Sequence, residues 1–284
     1  MDLVQAISVL LFALLGLFAG VLINRAADNL PPPGRRGLFA APHCPYCDQP
    51  REPVEQSALF NLLFSRGRCP HCNAPLGRRG PVVEIVSTFL FGFLAARLGI
   101  GLPALIYAIL TALLILITVV DLEHRLILNI VVLPATVLAL VGVPLARILM
   151  TVPAPRSPLG RFLDSLLGLL VGYLVVFGIY LLGGLFAQFM ARARGQTIDE
   201  VAFGMGDVKL AGFVGAIAGF TWIFYVLIYT ILLGGIVSIA VVVYQLAVRH
   251  RYSAFMAIPY GPFFTITTWV LMAASAGVWN GLLR

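Results

Sequence analysis

Residues 210–248 form an uninterrupted run of 39 positions without a charged side chain, and this run constrains the fold most strongly. A single helix of that length would measure about 58 Å at 1.5 Å per residue, nearly twice the ~30 Å hydrocarbon core of a bilayer. The run therefore predicts two membrane spans. Gly219-Phe220-Thr221-Trp222 is the predicted break between them, because glycine interrupts a helix and tryptophan favours the membrane interface.

Other apolar segments have the length of single spans. They cover residues 3–23, 82–96, 98–120, 126–146 and 165–191, with a last segment inside 252–283. Only 11% of the 284 residues are charged. Soluble domains carry roughly 25%, so a soluble enzyme, a disordered chain and a coiled coil are disfavoured. We expect an all-α polytopic membrane protein with about eight transmembrane helices.

The positive charges indicate how these spans are oriented. With eight spans, fourteen of the 19 basic residues share a side with the loop 24–81, and five lie on the other side. Cytoplasmic loops carry an excess of Lys and Arg, so we expect the loop in the cytoplasm and both termini outside. The charges are spread over short loops rather than massed on one face, which argues against nucleic-acid binding.

All four cysteines lie in that loop, as Cys44-Pro-Tyr-Cys47 and Cys69-Pro-His-Cys72. Two such pairs supply the four thiolates of a tetrahedral, structural Zn²⁺ site, which leaves no open position for catalysis. Disulfides or a redox pair are the alternatives, and a reducing cytoplasm disfavours them. The sequence thus predicts a first transmembrane helix at 1–23, a zinc-binding loop domain at 24–81 and a seven-helix membrane domain at 82–284.

Two aspartates lie where predicted spans meet the cytoplasmic face. Asp121 ends the third span, and Asp207 opens the sixth in the segment Gly204-Met205-Gly206-Asp207. Two carboxylates in a poorly hydrated cleft can share one proton, so that one activates water while the other protonates an attacked carbonyl. The alternatives are that Asp207 caps a helix and that Asp121 pairs with Arg125.

The order and spacing of these motifs resemble the bacterial type IV prepilin peptidases, a family of GxGD aspartic membrane proteases, over nearly the whole chain. Further segments that carry the similarity are Gly20-Val-Leu-Ile-Asn24, Leu30-Pro31, Arg66-Gly-Arg68-Cys69, Pro81-Val-Val-Glu84 and Pro259-Tyr-Gly261-Pro262-Phe263. The resemblance implies that Asp121 and Asp207 are catalytic and that Gly204, Gly206 and Lys209 belong to a supporting loop.

The resemblance also implies an activity. Members of the family cut the short basic leader from type IV prepilins or type II secretion pseudopilins at the cytoplasmic face of the inner membrane. They then N-methylate the new terminus with S-adenosylmethionine, a step for which Glu84 and the cysteine loop are the candidates here. Asp199 and Glu200 are candidates for attracting the basic leader.

The chain departs from the family pattern at a few positions. Leu128-Asn129 stand where Pro-Asp is usual, and Val21 and Asn29 replace a serine and an arginine. These changes concern substrate positioning and methyl transfer rather than the aspartate pair. Presenilin-like GxGD proteases are an alternative that leaves the cysteine pairs unexplained. A proton-coupled transporter, the other alternative, favours inverted repeats and charges near the middle of the bilayer, which the sequence lacks.

Overall fold

The computed structural model describes residues 3–32, 43–44, 46–50, 56–64, 66–75, 77–150, 157–194, 204–249 and 259–275. Within these ranges the chain forms α-helices and no β-strand, which confirms the predicted all-α class. The helices are α1 (Leu3–Asn29), α2 (Ala58–Phe64), α3 (Arg79–Leu98), α4 (Leu102–His124), α5 (Asn129–Leu149), α6 (Pro158–Arg194), α7 (Met205–Ala218), α8 (Phe220–Tyr244) and α9 (Gly261–Ser275).

Each apolar segment predicted as a span contains a helix. In the described part of the chain, six helices are long and apolar enough to cross a membrane, judged by length and composition: α1, α3, α4, α5, α6 and α8. The remaining three are shorter: α7 has 14 residues, α9 has 15 and α2 has seven. The protein is therefore a multi-pass membrane protein.

The break in the 210–248 run falls at the predicted place. Gly219 separates α7 from α8 with φ +81°, a left-handed conformation that strains any residue with a side chain. A Cβ atom at this position would also collide with the Asp164 carboxylate. The break therefore requires glycine for two reasons.

The first helix is longer than predicted, because it continues past residue 23 to Asn29. Residues 24–29 contain no helix breaker, whereas prolines follow from Pro31 onwards. A proline ring restricts the residue before it and removes a backbone donor, so the helix ends just ahead of this run.

The chain divides into two compact units, one within Met1–Val120 and the other within Asp121–Gly277. In the first unit, α1 packs along α3. Gly16 and Gly20 lie directly against α3, since a Cβ atom on Gly20 would come within 2.7 Å of the Glu84 Cα atom. Small residues let helix backbones approach closely where lipid provides no hydrophobic driving force. The division into 1–23, 24–81 and 82–284 stays a prediction.

In the second unit, α7 is the central helix. It packs against α5, α6, α8 and α9, and its residues 210–218 are all buried. The contact with α6 is nearly backbone to backbone, because a Cβ atom on Gly172 would collide with the Ala211 carbonyl. Gly168 and Gly215 approach each other in the same way.

The carboxyl end of α7 is capped by a side chain of α5. The Arg147 guanidinium donates to the carbonyls of Ile217 and Ala218, each at 3.3 Å, and pairs with Asp164 at 3.4 Å. A cation at this end of a helix satisfies free carbonyls and complements the helix dipole. The glycine contacts and this cap together fix the position of α7.

We expect Gly172→Ala to destabilise the protein by about 2 kcal/mol, because the added methyl group forces α6 and α7 apart. Unfolding of the purified protein in mixed detergent micelles measures the change. Gly178→Ala is the matched control in α6, since nothing lies within 4 Å of a Cβ atom there, and its effect should stay within about 0.5 kcal/mol. Equal effects of the two substitutions would contradict the backbone contact.

Candidate active site

Asp121 is fixed by a backbone amide from the start of another helix. It lies in the last turn of α4, and only 5% of its surface is exposed. Its Oδ2 atom accepts a hydrogen bond of 2.9 Å from the backbone N–H of Gly261, the first residue of α9. A Cβ atom on Gly261 would collide with this oxygen and lie 2.9 Å from the Asp121 Cγ atom. Glycine is therefore needed for the carboxylate to reach the amide.

Asp207 is held in a similar way within its own helix. It is the third residue of α7, and its Oδ2 atom accepts a hydrogen bond of 2.9 Å from the backbone N–H of Gly204, which precedes the helix. A carboxylate at this position satisfies an amide that the helix leaves free. Gly206 lies close to Ile127, because a Cβ atom would come within 3.0 Å of the Ile127 Cβ atom.

The structure brings the two aspartates together in the second unit. Asp207 lies within electrostatic range of Asp121. Each carboxylate has its Oδ2 atom on a glycine amide, and among the described residues neither Oδ1 atom accepts a hydrogen bond. Arg125 also acts on Asp121 electrostatically but forms no ion pair with it within 4 Å in the described ranges. Within the described part of the chain, each carboxylate thus keeps its Oδ1 atom without a hydrogen-bond donor.

Lys209 lies two residues after Asp207. Its partner is Asn129, one of the positions at which the sequence departs from the family pattern. The Lys209 Nζ atom donates a hydrogen bond of 2.9 Å to the Oδ1 atom of Asn129, the first residue of α5. Asparagine retains an acceptor oxygen at this position. The bond ties the first turn of α7 to the start of α5.

The four cysteine sulfurs form one cluster in the first unit. The sulfur atoms all lie within 4.8 Å of one another, with Cys44 at 3.8 Å from Cys72 and Cys47 at 3.9 Å from Cys69. A tetrahedron of thiolates around Zn²⁺, with Zn–S bonds of about 2.3 Å, has edges of about 3.8 Å. The donor set and its spacing therefore fit a zinc ion.

The two cysteine segments share one local fold, which explains how they converge. In the first, the Cys44 amide donates to the Gln49 carbonyl; in the second, the Cys69 amide donates to the Ala74 carbonyl. Asp48 and Asn73, each directly after a second cysteine, adopt positive φ values of 53° and 58°. Each segment is thus a tight turn that presents two sulfurs on one side.

The protein around Cys44 favours its thiolate form. Burial opposes ionisation of this thiol, but hydrogen bonds from the backbone N–H groups of Tyr46 and Cys47, together with those from the Cys69 and Cys47 thiols, outweigh it and lower the pKa of Cys44 to about 6. Thiolates rather than thiols bind metal ions.

Glu84 is fully buried and is occupied by donors of its own unit. It accepts hydrogen bonds from the Ser57 hydroxyl at 2.7 Å, the Ala58 amide at 2.8 Å, the Leu59 amide at 2.9 Å and the Asn24 side chain at 3.3 Å. Its carboxylate therefore caps the first turn of α2. A role of Glu84 in methyl transfer stays a prediction, and Asp199 and Glu200 lie outside the described residues.

Two hydrogen-bonding partners in these sites were not expected from the sequence. The segment 259–263 was part of the family resemblance, but nothing in it assigned Gly261 to Asp121. Asn129 was known only as a departure from the family's usual Pro-Asp, and its hydrogen bond with Lys209 was not expected. In both cases the partner lies far away in the sequence, so a local pattern carries no signal for the contact.

Two family profiles match different parts of this chain. The profile of the type IV leader peptidase family matches residues 108–239, and that of the bacterial peptidase A24 N-terminal domain matches residues 10–98. No solved structure matches.

Curated relatives match over most of their length. A prepilin leader peptidase/N-methyltransferase of Pseudomonas putida is 30% identical over 234 residues, which cover 81% of this chain and 70% of the relative. Proteins of the same name from Stutzerimonas stutzeri and Neisseria gonorrhoeae are 28% and 26% identical, over 93% and 96% of this chain and 90% and 92% of the relatives.

Proposed function

This chain belongs to the type IV leader peptidase family, and we propose that it removes the leader from prepilins or pseudopilins with Asp121 and Asp207. One observation carries the proposal: two aspartates from different helices lie within electrostatic range, each with one oxygen held on a glycine amide. The names of the relatives support prepilins as the substrate class.

In the proposed reaction, one carboxylate is ionised and the other is protonated. The ionised group takes a proton from a water molecule as the water oxygen attacks the carbonyl carbon of the scissile bond. The protonated group gives its proton to the carbonyl oxygen, which forms a tetrahedral intermediate. The intermediate collapses as the C–N bond breaks and the leaving nitrogen takes up a proton. This division of labour follows from two like charges that cannot both ionise easily in a poorly hydrated site.

The glycine amides orient the two carboxylates for this reaction. An N–H group that donates to a carboxylate forms a charge-assisted hydrogen bond, which is stronger than a neutral one. Because Gly261 and Gly204 each hold an Oδ2 atom, the Oδ1 atoms remain to exchange protons with water and substrate. Gly206 and Lys209 support the loop through their contacts with Ile127 and Asn129.

We place the reaction at the cytoplasmic face of the inner membrane. Both aspartates lie at helix ends that share a side with the arginine-rich loops in the predicted topology. The basic leader of a prepilin would reach them from the cytoplasm. Pseudopilins of type II secretion have the same kind of leader and belong to the proposed substrates.

We further propose that the protein N-methylates the new terminus, with S-adenosylmethionine as the methyl donor. The printed name of the relatives supports this second activity. The carboxylate of Glu84 is taken up by Ser57, Ala58, Leu59 and Asn24, so it does not fit a direct contact with the methyl donor.

The cysteine cluster is proposed to hold a structural zinc ion through Cys44, Cys47, Cys69 and Cys72. Bound zinc would connect two turns that are separated by more than twenty residues in the sequence. In a loop with little core of its own, that bond supplies folding energy.

We expect Asp121→Asn and Asp207→Asn each to lower the rate of leader cleavage by at least about 10³-fold, because either substitution removes one of two proton-transfer groups. Mass spectrometry of a prepilin incubated with reconstituted enzyme measures the product. Glu123→Gln, an exposed carboxylate two residues from Asp121, is the matched control and should retain cleavage within about threefold. Near-normal cleavage by either aspartate variant would rule out the pair.

We expect Gly261→Ala to reduce kcat for cleavage by about 10²-fold and to leave KM within about threefold, because the added methyl group displaces the Asp121 carboxylate but not the substrate. Steady-state kinetics on a prepilin peptide separate the two parameters. Gly235→Ala is the control, since a Cβ atom there meets nothing within 4 Å. A rise in KM with an unchanged kcat would refute the positioning role.

We expect the purified protein to contain about one zinc ion per chain, and Cys69→Ser to lower this to below about a tenth. Atomic emission spectroscopy measures the metal. His71→Ala is the control, because the exposed histidine is not among the proposed ligands and its loss should leave the zinc content unchanged. Metal-free wild-type protein with oxidised cysteines would overturn the assignment.

A further inference from the structure

The short helix α2 exposes an apolar face that the proposed reaction does not use. Phe60, Leu63 and Phe64 follow a spacing of three and four residues and so lie on one face of the helix. Leu63 is 68% exposed and Phe64 76%, whereas Asn61 on the other side is 4% exposed. The rings of Phe60 and Phe64 stack with centroids 6.0 Å apart.

Hydrogen bonds hold the start of this helix close to a membrane span. The Glu84 carboxylate binds the amides of Ala58 and Leu59, and a Cβ atom on Gly80 would lie 2.5 Å from the Ala58 Cβ atom. Glu84 follows Arg79, the first residue of α3, by only about 7.5 Å along the helix axis. The first turn of α2 is therefore held at the level where α3 enters the membrane.

The length of α2 keeps its apolar side chains near that level. Its last residue lies about 9 Å from its first along the helix axis. The two ends of α2 therefore differ in depth by no more than about 9 Å, whatever the orientation of the axis. The headgroup layer on each side of the hydrocarbon core is roughly 6 Å thick, and long side chains extend the reach further. Phe64 is thus within reach of the boundary between headgroups and acyl chains.

Positive charges accompany the apolar face. Arg66 and Arg68 lie two and four residues after the end of α2, Arg78 immediately precedes α3, and all three are exposed. The helix itself contains no acidic residue. An apolar face flanked by arginines is the pattern of a segment that lies in the plane of the membrane and binds anionic headgroups.

We propose that α2 lies in the membrane interface, with Phe60, Leu63 and Phe64 among the lipids and the flanking arginines on anionic headgroups. The helix lies between Cys47 and Cys69 in the sequence, so it attaches the cysteine loop to the bilayer surface. The apolar face is continuous with a membrane contact that the protein already has, because α2 is bonded to the spanning helix α3. This inference does not depend on the peptidase proposal.

Fluorescence quenching in vesicles tests the proposal on the full chain. The three native tryptophans are replaced by phenylalanine and a single one is introduced as Leu63→Trp. In phosphatidylcholine vesicles, we expect lipids brominated near the headgroup to quench about half of the emission and lipids brominated near the chain end to quench less. Phe89→Trp, exposed on α3, is the matched control within a span and should show the opposite order.

Two results would overturn the proposal. Quenching of Leu63→Trp by acrylamide but by neither lipid would place α2 in water. Protection from acrylamide only after a prepilin is added would make the face a substrate site instead. The measurement uses no catalytic activity, so its failure is distinguishable from failure of the peptidase assignment.

A second arm tests the arginines. Adding phosphatidylglycerol to the vesicles should strengthen the lipid quenching of Leu63→Trp, and Arg66→Gln combined with Arg68→Gln should abolish that increase. The same dependence on phosphatidylglycerol in both proteins would refute the anionic-headgroup contact. Zinc content, unchanged in the variants, serves as the check that the loop is folded.

Discussion

Hydrogen bonds from amides at the start of a helix to a carboxylate recur around three acidic side chains of this protein. Asp121 binds the amide that opens α9, Asp207 binds the amide ahead of α7, and Glu84 binds the amides that open α2. In each case a carboxylate and one or more N–H groups that the helix leaves free satisfy one another. The same kind of bond holds both aspartates in the second unit and anchors α2 in the first.

The geometry of the aspartate site depends on the packing of glycines behind it. Gly168, Gly172 and Gly215 allow α6 and α7 to touch along their backbones, and Arg147 closes the far end of α7. These contacts leave α7 little freedom to shift. The Asp207 carboxylate on its first turn is therefore positioned by packing along the rest of the helix.

The fold was largely predictable from the sequence because bilayer spanning imposes a strong, local pattern. Runs of apolar residues predicted the helices, and Gly219 predicted the break in the longest run. The cysteine cluster was predictable for a similar reason, since two short spacings encode two turns. The hydrogen bond from Gly261 to Asp121 was not, because it joins residues 140 positions apart and depends on how helices pack. The cap that Glu84 places on α2 and the bond from Lys209 to Asn129 were unforeseen for the same reason.

The arginine cap on α7 has a consequence for sequence variation. With 14 residues, α7 is about 20 Å long, so a small tilt at one end displaces the other end by a distance proportional to this length. Tilting it by about 5° at the Arg147 end would move the first turn, which carries Asp207, by nearly 2 Å. In the proposed reaction, a displacement of about 1 Å of a reacting group already costs about 10²-fold in rate. For the proposed reaction, natural selection should therefore guard the distant Arg147–Asp164 pair as strictly as the aspartates, although the pair lies at the opposite end of α7.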